Sequence, residues 1–189
     1  MRRVAGIAFL LGVVALLAAV ALRVGAPAPD AHADHAPDAA MGPTHARMAA
    51  TYAAPTIEGD TIALADLRGS VVVVNLWATW CHPCVKELPS LERLQASLEN
   101  EGLRVLAVNV DRLPESRAAE EVARFMDEIG VDLTVLLDPA GRAETAFGAL
   151  GLPTTVVIDR DGGMAYRRLG AGDWDLPPLR DHVVAALER

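Results

Sequence analysis

The chain has 189 residues, 52% of them hydrophobic, with 17 Lys and Arg against 25 Asp and Glu and a formal net charge of −8. That length holds one domain with a real core plus additional segments, and the acidic balance, with no run of Lys or Arg, argues against nucleic acid as a partner. Two cysteines do not by themselves assign a compartment, because a two-residue spacing suits cytosolic and exported redox motifs alike.

Met1-Arg2-Arg3 precedes residues 4–22, which contain no charged side chain. Such a run is long enough to cross the hydrocarbon core as a helix. Arg2 and Arg3 lie before it, while Arg23, Asp30 and Asp34 lie after it, so the positive-inside bias leaves the N-terminus in the cytoplasm and exports the remainder. The run exceeds the apolar region of a cleavable signal. Residues 1–24 are therefore read as a single-pass transmembrane signal anchor, in preference to a signal peptide cut near Ala26-Pro27-Ala28 or a twin-arginine leader. This places the chain in the cell membrane with its folded part on the outer side. Residues 25–50 are dominated by Ala, Pro, Asp and His without periodicity, the composition of a disordered linker. His32, His35, His45, Met41 and Met48 within it are soft-metal ligand types, set in what otherwise reads as a solvated tether.

Residues 51–189 form the expected folded domain, with 13 basic and 22 acidic side chains. A short strand over 61–64 precedes a turn at Arg68-Gly69. Residues 71–77 (Val-Val-Val-Val-Asn-Leu-Trp) are short, apolar and β-branched, as in a strand covered on both faces. After Pro83 a helix follows, with Leu88, Leu91, Leu94 and Leu98 three or four residues apart. A strand over 104–110 comes next, then a helix opened by Pro114 and stopped at Gly130. A strand over 134–137 and a helix over 140–150 lead to two strands, 154–158 and 164–169, joined by the hairpin signal Asp159-Arg160-Asp161-Gly162-Gly163. A helix over 176–187 closes the chain. The order β-α-β-α-β-α-β-β-α predicts an α/β fold, a mixed central sheet with helices on both faces.

The chemistry concentrates at Trp80-Cys81-His82-Pro83-Cys84, where strand 71–77 passes into a helix. Cys81 falls at the helix N-terminus, whose unpaired N–H groups and dipole favour a thiolate. Cys84 lies three residues on and on the same face, and Pro83 sits where a first-turn proline is tolerated. This is the outline of a dithiol that cycles. Zinc would need two more ligands than the motif supplies, and a structural staple usually closes a longer loop. His82 is either a titratable group that stabilises a Cys81 thiolate or an exposed spacer. Glu87, three residues beyond Cys84, is either a partly buried proton acceptor for Cys84 or a surface charge complementing the helix dipole. Asn75, an amide, cannot be the base. No cofactor or metal is called for.

Asp66-Leu67-Arg68-Gly69, residues 73–84 (Val-Val-Asn-Leu-Trp-Ala-Thr-Trp-Cys-His-Pro-Cys), Glu87-Leu88-Pro89 and Gly151-Leu152-Pro153-Thr154-Thr155 together span almost the whole domain, and in them it resembles the thioredoxin-like TlpA/ResA/DsbE group of exported thiol–disulfide oxidoreductases. The resemblance implies a thioredoxin fold with N-terminal strand additions, membrane tethering, a membrane thiol reductant, and reduction of disulfides in exported proteins, apocytochrome c being a frequent substrate in that group. It implies Cys81 as nucleophile, Cys84 as resolving cysteine, Glu87 as proton acceptor, and Pro83 as a motif residue. It also implies a cis peptide before Pro153, opposite the dithiol, with the backbone of Leu152 offered to an extended substrate and Trp80 shielding the site. Two alternatives stay open: a copper-delivery module using Cys81 and Cys84, and an oxidase, which differs only in redox poise.

Overall fold

The structure, a computed structural model, describes Ala49 and residues 51–189. The anchor expected over 1–24 and, apart from Ala49, the linker expected over 25–50 lie outside the described residues. Among those described, no helix is long and apolar enough to cross a membrane.

Two short strands, β1 (Ala53–Pro55) and β2 (Thr61–Ala63), pair antiparallel. Through a bridge from Thr56 to Leu136 they reach the edge of a five-stranded sheet. That sheet comprises β3 (Val71–Trp77), β4 (Leu103–Asn109), β5 (Thr134–Leu137), β6 (Thr154–Ile158) and β7 (Met164–Leu169), in the order β5-β4-β3-β6-β7. The pairs β3–β4 and β4–β5 are parallel, while β3–β6 and β6–β7 are antiparallel, so the sheet is mixed as expected. Every residue of β3 and β6 is buried, which requires cover on both faces and explains the near-continuous apolar composition of β3.

Among the described residues, four α-helices provide that cover: α1 (His82–Leu98), α2 (Glu115–Ile129), α3 (Arg142–Ala146) and α4 (Leu179–Leu187). The leucines at 88, 91 and 94 are fully buried on one stripe of α1, each worth about 1.5–3 kcal/mol of transfer free energy. Pro89 lies inside this helix, which continues through it to Leu98. Helix α2 buries Ala118, Val122 and Met126, and Phe125 packs against Trp77 with ring centroids 5.9 Å apart. It stops at Gly130, where φ is +66° and the backbone N–H turns back to the carbonyl oxygens of Asp127 and Met126. In the β6–β7 hairpin, Asp159 Oδ1 accepts from the N–H groups of Asp161 (3.1 Å) and Gly163 (2.8 Å).

Besides one-residue differences at β2 (61–63 for 61–64) and β4 (103–109 for 104–110), three elements depart from expectation. Helix α3 is five residues long rather than the eleven of 140–150, because Gly141 and Gly148 both take positive φ and bracket it. Helix α4 begins at 179 rather than 176, after the Pro177–Pro178 pair. Strand β1 had no counterpart in the expected order, since Ala-Ala-Pro carries no periodic signal.

Candidate active site

Strand β3 ends at Trp77, and the chain turns through Ala78–Cys81, closed by the Cys81 N–H to Ala78 carbonyl bond of 3.0 Å. Cys81 is the N-cap of α1 in an extended conformation, with no side chain capping the helix, and His82 and Pro83 open the first turn, both exposed. Cys81 and Cys84 are joined in a disulfide with Cα atoms 5.3 Å apart. Cys84 is fully buried and Cys81 is 5% exposed, so Cys81, expected to be the nucleophile, is the more accessible residue of the pair by a narrow margin and not an open surface group. Trp80, 72% exposed, stands beside it.

The turn before the dithiol is pinned from β4. Asp111 Oδ2 accepts from the backbone N–H of Thr79 (3.1 Å) and from Asn109 Nδ2 (2.9 Å), while the Asp111 N–H returns to Asn109 Oδ1 (3.1 Å). Both side chains are buried. Sequence reasoning missed this clamp, whose only trace is two polar residues at the end of an apolar strand.

Strand register brings the proline to the site. Thr154 pairs with Leu76 in the antiparallel β3–β6 ladder, so Pro153 lies level with Trp77 at the end of β3 from which the dithiol turn departs. The Leu152–Pro153 bond is cis, as the resemblance implied. Pro153 is buried and Leu152 half-buried, and Pro153 returns its carbonyl to the N–H of Gly170 (2.9 Å).

Glu87 is not the surface charge that one reading allowed. It is 2% exposed, in the second turn of α1 on the face of Cys84. Asn75 Nδ2 donates to its Oε1 at 2.6 Å and the backbone N–H of Gly172 donates to its Oε2 at 3.0 Å. Asn75 Nδ2 also donates to Thr155 Oγ1 at 2.8 Å. Ladder partners Asn75, Thr155 and Arg168 form a buried polar row across β3, β6 and β7. Burial pushes the Glu87 carboxyl up from 4.5 to about 7; the Gly172 and Asn75 hydrogen bonds, the Trp174 indole and the charge on Arg168 oppose that rise without cancelling it. Ser90 supports the same wall, its Oγ donating to the Glu87 carbonyl (2.7 Å) and accepting the Trp174 N–H (3.0 Å). A cleft lined by Lys86, Glu87, Arg93, Gly172 and Asp173 opens this wall to the surface.

The N-terminus of α1 thus carries a disulfide, with a buried carboxyl on the face of Cys84 and a cis-proline at the adjoining strand end. The AhpC/TSA family model matches residues 45–167. ResA, a thiol–disulfide oxidoreductase of Halalkalibacterium halodurans, is 33% identical over 115 residues, 61% of this chain and 62% of that protein. The ResA of Geobacillus thermodenitrificans is 32% identical over 127 residues, 67% of this chain and 69% of that protein. A candidate thiol:disulfide interchange protein DsbE from Chlorobium tepidum superimposes with a TM-score of 0.65 at 32% identity, over 72% of this chain and 92% of that one. The chain belongs to the AhpC/TSA family, among its ResA-type thiol–disulfide oxidoreductases. Its fold is accordingly the thioredoxin-like α/β fold, and the disulfide of Cys81 and Cys84 is its redox-active pair. The matched segment spans only 62% of the length of the first of these relatives.

Proposed function

We propose that this oxidoreductase works as a reductase of disulfides in exported proteins, held at the outer face of the cell membrane by residues 1–24 and recharged by a membrane thiol donor. The observation that carries the reading is Glu87: a buried carboxyl near neutrality on the resolving-cysteine face. In the reduced protein the Cys81 thiolate, favoured by the uncapped first turn of α1, attacks one sulfur of a substrate disulfide and expels the other as a thiolate. Glu87 takes the proton of the Cys84 thiol. The Cys84 thiolate then attacks Cys81 Sγ in the mixed disulfide, closing the intramolecular disulfide and releasing the second substrate thiolate. Two electrons pass from the dithiol to the substrate, and the proton on Glu87 leaves towards solvent. Trp80, next to Cys81 in the chain, and the Leu152 backbone before the cis-proline receive the substrate chain as an extended segment. Apocytochrome c, with a cysteine pair that must be reduced before haem attachment, fits as substrate.

The equilibrium reduction potential of the purified chain tests the direction. A value near that of thioredoxin, about −270 mV, is expected; one near that of DsbA, about −120 mV, would make the protein an oxidase and overturn the reading.

A further inference from the structure

Asn75 is the one polar residue in a strand of seven buried residues, and it touches the carboxyl just discussed. Both of its Nδ2 hydrogens are used, by Glu87 Oε1 and Thr155 Oγ1, while its Oδ1 is buried with no hydrogen-bond partner. With both hydrogens donating, this arrangement suits Glu87 ionised and Oε1 free to accept, and it leaves Oδ1 a buried orphan acceptor at a cost of about 1–3 kcal/mol. When Glu87 carries a proton on Oε1, that O–H needs an acceptor, and two donating hydrogens of Asn75 would face it and the Thr155 hydroxyl. Turning the amide by half a revolution about χ2 places Oδ1 where Nδ2 was. It then accepts from the Glu87 O–H, and the Thr155 hydroxyl, which rotates freely, donates instead of accepting.

We propose that Asn75 is a positioning residue whose amide turns over with the proton on Glu87, so that Asn75 and Thr155 together support both charge states of the carboxyl. The inference rests on the reading of Glu87 as proton acceptor and explains how side chains of the sheet hold that proton. The other groups facing the carboxyl do not offer this exchange. Gly172 presents a backbone N–H that only donates, and the Trp174 indole only donates. Arg168 supplies a fixed positive charge from β7, and Cys84 lies on the same face of α1. Lys86, Arg93 and Asp173 line the cleft outside.

The test is a pH titration by NMR of the oxidised full chain, in which neither cysteine carries a proton. It follows the Glu87 carboxyl carbon and the Asn75 side-chain amide. Proximity (NOE) signals from the Asn75 amide hydrogens to Thr155 and to the Glu87 side chain are expected above the Glu87 midpoint and lost below it. Unchanged signals across the midpoint mean a fixed amide and overturn the proposal, since a mere field effect would move chemical shifts but not contacts. Asn75→Leu, which removes the partner of both charge states, is expected to leave the Glu87 midpoint within about half a pH unit of the wild type. A rise of about one to two pH units in the folded variant, the loss of a donor that serves the carboxylate alone, also overturns it, and if the variant does not fold, the wild-type contacts decide. Failure of the Glu87→Gln experiments below would remove the acceptor role, whereas this titration reports on the amide alone.

Discussion

Replacing Glu87 by Gln removes a titration from the core while keeping the size of the side chain. The carboxyl ionises near 4.5 in the unfolded chain and near 7 in the fold, so the folded state holds the proton more tightly. That contribution is fully present below pH 4.5 and is lost as pH rises through 7. Stability falls by about 1.4 kcal/mol per pH unit across the window, about 3 kcal/mol in all. Gln carries a cost of its own, because its amide nitrogen must face a donor, Asn75 Nδ2 or the Gly172 N–H, but that cost does not vary with pH. Urea unfolding of the oxidised wild type and of Glu87→Gln, followed by the fluorescence of buried Trp77 and Trp174 at intervals from pH 4 to 9, should give a stability difference that moves by about 3 kcal/mol in favour of the variant, with most of the movement between pH 5 and 7. Taking the difference cancels the other titrating groups. Curves that run parallel over this range would refute the burial argument and return Glu87 to the status of an ordinary carboxylate. In parallel, reduction of insulin by the variant should slow by about 100-fold at pH 7, the order of a lost general acid–base contribution.

The sulfurs give a second expectation: iodoacetamide should label Cys81 of the reduced protein well before the fully buried Cys84, read by peptide mass spectrometry; Cys84→Ser should accumulate mixed disulfides with substrate and Cys81→Ser none. Asp111→Ala removes the acceptor of the Thr79 N–H and the Asn109 amide, and should cost about 1.5–3 kcal/mol in urea unfolding while quickening amide exchange at Thr79. Trp80→Ala, at a largely exposed position, should leave stability within about 0.5 kcal/mol and raise KM for a protein substrate more than it lowers kcat.

Much of this fold is legible because its elements carry strong local periodicity. Strand 71–77, the hairpin strands 154–158 and 164–169, and the helix stopped by Gly130 have the bounds their patterns indicate. What a local pattern cannot supply is the partner of a polar residue. Asn75 signals its oddity by interrupting an apolar strand, and Glu87 by its place beside the dithiol. That they share a hydrogen bond depends on how α1 crosses the sheet, and the Gly172 donor arrives from 85 residues further along the chain. Asp111 shows the same gap: its link to Thr79 spans 32 residues and follows from β4 lying next to β3. The start of the C-terminal helix, by contrast, is set locally: the apolar pattern beginning at Leu176 gives way to two consecutive prolines, after which the helix begins.

The donor to Glu87 Oε2 belongs to the main chain, so proline is the one replacement that deletes it, yet a wider class of substitution can displace it. A Cβ at position 172 would overlap Cδ1 of Leu179, and Leu179 is itself buried at the start of the last helix. A side chain there must displace the end of the buried Leu179 side chain or move the Gly172 amide that faces the carboxyl. In an exhaustive mutational scan under selection for disulfide reduction, position 172 should therefore be as intolerant as the two cysteines, although a glycine carries no reactive atom. Its neighbour Asp173, exposed and at the cleft mouth, should accept most replacements, leaving a single invariant column in a permissive loop as the mark this proton site leaves on the protein's descendants.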